Sequence, residues 1–222
     1  YQRAVEALGR IDSNHLFFLD NDMAGDLPTS VVPLHAPDLV YAPHVYTGSL
    51  IPPAFTGDGA ALRTHVDELA REATDVPAAL WFGEFSIDFR SKYGPQWTQD
   101  IISDFAAHDA GWAWWQWRES SGYGVRSYNG KDLDMPLLRA LAQPFVELRP
   151  PGVSADTASS GDSLGITVRS GGAPIVIAWP QFVLGPPQVV STCRISSVYD
   201  SSTARLVLTT PAGLGCTVIV KA

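Results

Sequence analysis

Long apolar runs are missing from this chain, and none approaches the roughly 18 uninterrupted apolar residues of a membrane-spanning helix. Basic charge is scarce as well. Fifteen Lys and Arg stand against 23 Asp and Glu, a net charge of −8. That balance argues against nucleic acid or an anionic membrane as a partner, because both reward clustered cations. His15, His35, His65 and His108 keep no ligand spacing with one another or with the cysteines, so no metal site is expected. A Gly-x-Ser-x-Gly elbow is absent, which removes the serine esterase reading. No Gly-rich phosphate turn follows the first strand, and no cofactor is implied. The chain opens on Tyr1-Gln2-Arg3, without an initiator Met or a signal peptide, which reads as a processed or cut end.

What is present is a hydrophobic fraction of 45% and an aromatic fraction of 10% over 222 residues, enough for one large domain or two modest ones. The two cysteines, Cys193 and Cys216, sit in strand-like runs of the last quarter. Joined, they imply an oxidising, extracytoplasmic compartment. The other reading is two buried free thiols. The disulfide is the expectation taken here.

Residues 1–147 alternate short apolar strands with amphipathic helices. Val5, Leu8 and Ile11 keep helical spacing, and His15–Leu19 (HLFFL) follows as a strand buried on both faces. Leu39–Tyr46 (LVYAPHVY) is the second strand, and its Pro43 should end or disturb the pairing. The helix between these two strands is the least clearly written. Leu62, Val66, Leu69 and Ala73 mark the next helix, and Ala79–Phe85 (ALWFGEF) a third strand. Pro95 opens a helix carrying Trp97, Ile101 and Phe105 on one face, before Gly111–Trp117 (GWAWWQW) and a last helix at Met135–Ala142. Strands alternating with helices imply a parallel sheet. Residues 148–162 are rich in Pro, Gly, Ser and Ala and read as a linker. From 163 to 222 the helical period vanishes. Short β-rich runs at Leu164–Arg169, Ile175–Trp179, Val189–Ile195, Ala204–Thr209 and Cys216–Val220 suggest a small β-sandwich.

Each parallel strand ends in polar or aromatic groups after an apolar body: Asp20-Asn21-Asp22, His44-Val45-Tyr46, Gly83-Glu84-Phe85 and Trp115-Gln116-Trp117. Functional side chains gather at such ends in (β/α)8 barrels, which need eight strands where this chain has four. Glu84 stands where an unpaired carboxylate would be costly, as a nucleophile or as half of a structural ion pair. His44 and Tyr46, two apart on an extended segment, point to one side. Alone they would read as a satisfied core His and a packed Tyr. Asp20, Asn21 and Asp22 are suited to hydrogen-bonding substrate hydroxyls or to capping the turn that follows. Of the four tryptophans at 112, 114, 115 and 117, Trp112, Trp114 and Trp117 read as core or barrel wall.

The succession SNHLFFLD, YAPHVY, WFGEFS and GWAWWQW resembles strands five to eight of glycoside hydrolase family five, a family of retaining (β/α)8 barrels. The Arg-Pro-Pro stretch and the trailing β domain look most like its endoglycoceramidase branch, which cleaves glycans from ceramide. The resemblance covers nearly the whole chain. It implies Glu84 as nucleophile, Tyr46 donating a hydrogen bond to it, His44 orienting substrate or carboxylate, and Trp115 beneath the sugar. A retaining mechanism places the nucleophile about 5–5.5 Å from an acid/base carboxylate. The resemblance puts that Glu on the fourth strand, ahead of Tyr1. The expected function is therefore a retaining endo-β-glycosidase acting on a β-linked glycan or glycolipid. This chain would supply half of its site. A companion N-terminal half-barrel, or alternatively a second copy of the chain, would supply the rest. The competing reading is a non-catalytic carbohydrate-binding or interaction protein derived from such a barrel.

Overall fold

Pro43 divides the second parallel strand in two. In a computed structural model, which describes residues 1–21, 32–119, 122–127, 129–157 and 161–222, Leu39–Tyr41 and His44–Val45 are separate strands. A proline has no N–H to give to a ladder, so pairing lapses around it. The Pro43 carbonyl still accepts the Gly83 amide at 2.9 Å. Asp22 and most of the expected helix between the first two strands lie outside the described residues.

The chain divides into two units, Tyr1–Asp134 and Met135–Ala222. The first contains α1 (Gln2–Gly9), β1 (Phe17–Leu19), β2 (Leu39–Tyr41), β3 (His44–Val45), α2 (Ala60–Asp75), β4 (Ala79–Phe85), α3 (Gly94–Ala107) and β5 (Gly111–Trp114). All its strand pairs are parallel: β1 with β2, and β4 with β2, β3 and β5. Sequential parallel strands separated by helices form one arc of a (β/α)8 barrel.

The helices obey their spacing. Leu62, Val66, Leu69 and Ala73 are the buried residues of α2. The α3 helix carries Pro at its first turn, and Trp97, Ile101 and Phe105 are fully buried. Against them β4 turns Phe82 and Phe85, also fully buried. Phe82 stacks on Phe105 with centroids 3.7 Å apart, and Phe85 meets Phe105, Trp112 and Trp114 edge to face. Each such burial stabilises by about 1.5–3 kcal/mol. On the other face Trp81 meets Phe18 edge to face at 6.2 Å, and Phe18 remains 54% exposed. Gly111 makes room for the Trp81 ring, since a Cβ there would stand 2.2 Å from its Cε3.

The second unit holds α4 (Met135–Leu141), β6 (Phe145–Leu148), β7 (Val153–Thr157), β8 (Ser163–Val168), β9 (Pro174–Ala178), α5 (Gln181–Leu184), β10 (Gln188–Ser191), β11 (Ser196–Asp200), β12 (Arg205–Thr209) and β13 (Cys216–Lys221). Two antiparallel four-stranded sheets, ordered β10-β13-β8-β7 and β11-β12-β9-β6, enclose a core of Leu164, Ile166, Ile175, Ile177, Trp179, Leu206, Leu208, Val218 and Val220. Cys193 and Cys216 form a disulfide.

The division into 1–147, a linker at 148–162 and 163–222 differs from this arrangement. Phe145–Leu148 pairs with β9, and Val153–Thr157 inside the expected linker pairs with β8. Pro150, Pro151 and Gly152 turn the chain between them, with the Val153 amide donating to the Pro150 carbonyl and Gly152 at φ 79°. Val153 and Ala155 face the core in alternation, a pattern too short and too weakly apolar to stand out beside so much Pro, Gly and Ser. The run at 189–195 also ends earlier than expected, and β11 takes Ser196–Asp200.

Candidate functional site

The end of β3 brings two side chains to one carboxylate on β4. Parallel pairing sets His44 beside Glu84 and Val45 beside Phe85. Gly83 permits the close approach, because a Cβ there would meet the Ala42 carbonyl at 2.9 Å and His44 Cδ2 at 3.3 Å. The Tyr46 hydroxyl donates a hydrogen bond to Oε1 of Glu84. His44 Nδ1 stands 3.8 Å from that same oxygen. On the far side of the imidazole, Nε2 lies 3.6 Å from Oδ2 of Asp20, the residue that follows β1.

Tyr46 is buried. Burial, followed by its hydrogen bond to Glu84, pushes the phenol well above the usual tyrosine range. At physiological pH it is therefore a neutral, fixed donor. Glu84 itself is not sealed off, with 23% of its side chain open.

Trp115 follows β5 one strand away, its amide donating to the Phe85 carbonyl at 3.0 Å and its side chain 46% exposed. The peptide to Gln116 is cis. Trp112 and Trp114 pack half-buried against Phe85, and the Trp114 indole donates to the Tyr123 carbonyl at 2.7 Å. Trp117 departs from the expectation of core or wall: it is 58% exposed. Strand β5 ends at Trp114, so the alternation that buries its neighbours no longer applies three residues on.

The structure therefore gathers His44, Tyr46 and Glu84 around one oxygen and sets Trp115 at the next strand end. Asn21 adjoins Asp20 after β1, and Asp22 lies outside the described residues. Two further relationships were not foreseen from the sequence. Asp20 reaches His44, and Tyr123 lies close enough to raise the Tyr46 phenol electrostatically. No spacing rule links residues 20 and 44, or 46 and 123, because their proximity depends on parallel pairing. Among the described residues no group of three His, Cys, Asp or Glu could hold a metal ion. No helix among them is long and apolar enough to cross a membrane.

The fold defined by these elements is part of a (β/α)8 barrel followed by a β domain. Among solved structures the chain is similar to endo-glycoceramidase II from Rhodococcus sp. in a five-membered iminocyclitol complex (TM-score 0.74, 20% identity). It is similar to the same protein as a lactosyl-enzyme intermediate (TM-score 0.72, 20% identity), and to an endogalactoceramidase (TM-score 0.70, 18% identity). All of this chain is covered in each case, against 53%, 52% and 52% of those chains. The chain thus spans about half the length of these structures. No protein-family model matches the sequence, and no curated protein matches it.

Proposed function

We infer that this chain carries the nucleophile side of a retaining endo-β-glycosidase that cleaves the glycan–lipid bond of a glycolipid. The observation that carries this reading is the Glu84 carboxylate at the mouth of a parallel sheet, held by the Tyr46 phenol and flanked by His44. Glu84 attacks the anomeric carbon, forming an ester while the glycosidic bond breaks. The leaving oxygen takes its proton from an acid/base carboxylate on the fourth strand of the complete barrel. Water then cleaves the ester and returns Glu84. Support for a covalent intermediate comes from the lactosyl-enzyme form of the Rhodococcus protein. Support for a lipid aglycone comes from the names of that protein and of the endogalactoceramidase. Trp115 is the platform under the sugar, and Asn21 and Asp22 reach its hydroxyls.

The strands here are five to eight of the barrel, and a preceding half supplies one to four with the acid/base Glu. Strands β1 and β5 each pair on one side only among the described residues, and open edges invite pairing. Phe18 and Trp81 form part of an inner layer that, in a closed barrel, takes four side chains from alternate strands. The disulfide supports an oxidising, extracytoplasmic setting.

The test is covalent labelling. Combined with an N-terminal half-barrel, the chain treated with an activated 2-fluoro glycoside should gain one sugar mass on the peptide carrying Glu84. Label on another carboxylate, or none in an assembly that cleaves substrate, would overturn the assignment. Sugar binding without labelling or cleavage would favour the non-catalytic reading.

A further inference from the structure

The imidazole of His44 lies between two carboxylates, with Nε2 3.6 Å from Asp20 and Nδ1 3.8 Å from Glu84. A neutral imidazole has one N–H and one lone pair, and the group facing one nitrogen decides which of them the other presents. One of the two carboxylates must therefore face a lone pair whenever His44 is neutral. Glu84 is the better placed to do so, because its Oε1 already accepts the Tyr46 hydroxyl hydrogen. Asp20 is also the nearer of the two.

We propose that Asp20 is a positioning residue that holds the His44 proton on Nε2, so that the unprotonated Nδ1 edge lies along the nucleophile. The consequence for Glu84 is chemical. A second donor on Oε1 would spread its charge further and weaken its attack on carbon. A bare Nδ1 leaves Tyr46 as the donor at that oxygen. Asp20 does this from a different strand. Its place immediately after β1 is set by the pairing of Leu19 with Tyr41 and by the Ala42 amide bonded to the Leu19 carbonyl at 2.7 Å. The side chain required at position 20 is thus one with an acceptor oxygen; its charge is secondary.

The role rests on reading Glu84 as the nucleophile, but its test does not depend on turnover. Long-range proton–nitrogen spectra of the 15N-labelled 222-residue chain, taken above the ordinary histidine range of about 6.5, report which ring nitrogen of each histidine carries the proton. His44, assigned by its absence in His44→Gln, should show the proton on Nε2. Asp20→Asn keeps an acceptor oxygen and should preserve that tautomer, whereas Asp20→Ala should move both nitrogens toward exchange-averaged positions. In the reconstituted enzyme, Asp20→Ala should lower kcat about tenfold with KM within about twofold, the mark of an interaction expressed in the transition state. Asp20→Asn should recover most of that loss. A wild-type His44 protonated on Nδ1, or nitrogens that ignore Asp20→Ala, would overturn the proposal. Failed labelling at Glu84 with the tautomer result intact would instead overturn the glycosidase reading and leave the Asp20–His44 coupling standing.

Discussion

The hydroxyl of Tyr46 and Oε1 of Glu84 are joined by a hydrogen bond across two parallel strands, although the residues stand 38 positions apart. The bond sets what removal of the phenol should do. A hydrogen bond to a charged group contributes about 1.5–3 kcal/mol. Tyr46→Phe should therefore lower kcat/KM of the reconstituted enzyme by roughly 10- to 150-fold, while circular dichroism stays unchanged. A loss below twofold would mean the phenol does not act on the reacting carboxylate.

Asp104 offers a prediction about pH. Its side chain is buried, with Oδ1 accepting from Nε of Arg63 on α2 at 3.2 Å and Oδ2 buried without a hydrogen-bond partner among the described residues. Burial raises its carboxyl above the ordinary range, and the Arg63 bond only partly offsets this. A folded-state value above the unfolded one means the unfolded chain ionises first. Stability is then greatest below the ordinary carboxylate range of about 3.9 and declines as pH rises to the folded value. Asp104→Asn removes that decline. At pH 7 it should be more stable than the parent, read as a higher urea midpoint. A lower midpoint would show the Arg63 pair outweighing the desolvation.

Gly111 should tolerate no side chain. A Cβ there falls 2.2 Å from the Trp81 ring, and overpacking of this kind costs about 1–3 kcal/mol. Gly111→Ala should lower the denaturation midpoint accordingly. The double variant Gly111→Ala, Trp81→Phe should lose less than the two single costs combined.

The Cys193–Cys216 bridge closes a separation of 23 residues. By the loop-entropy account a closure of this size contributes about 3 kcal/mol. Intact mass without reductant should fall two hydrogens short of the dithiol, and Cys193→Ser should cost the β domain stability of that order. Two thiols alkylated in the folded, unreduced protein would contradict it.

Much of the barrel arc was legible because its signals are strong. The faces Leu62–Val66–Leu69–Ala73 and Trp97–Ile101–Phe105 keep the helical period, and HLFFL and ALWFGEF are apolar bodies with polar ends. The break at Pro43 followed from the missing N–H alone. In the β domain the signals fade. Val153 and Ala155 are too few to mark a strand within a Pro- and Ser-rich stretch, and Val198 and Tyr199 lie between Ser197 and Asp200, which look like loop. In the site, Glu84, His44 and Tyr46 were visible as strand-end chemistry. Asp20 was visible only as one of three candidates for hydroxyl binding, since its reach to His44 depends on which strands are neighbours. Trp117 was misplaced because the end of a strand, where alternation stops, is not written in the run GWAWWQW.

The order β10-β13-β8-β7 has a consequence for how this unit is made. Strand β8 is synthesised at 163–168 and β10 at 188–191, yet neither pairs with the other; both wait for β13 at 216–221. Until that strand emerges, one sheet exists only as the hairpin of β7 and β8, and Val218 and Val220 are missing from the core. Cys216 arrives on the same strand, so Cys193 cannot close its bridge before then. The domain is assembled around its last-made strand, and a nascent chain stopped short of residue 216 would present an apolar interior with nothing to close it.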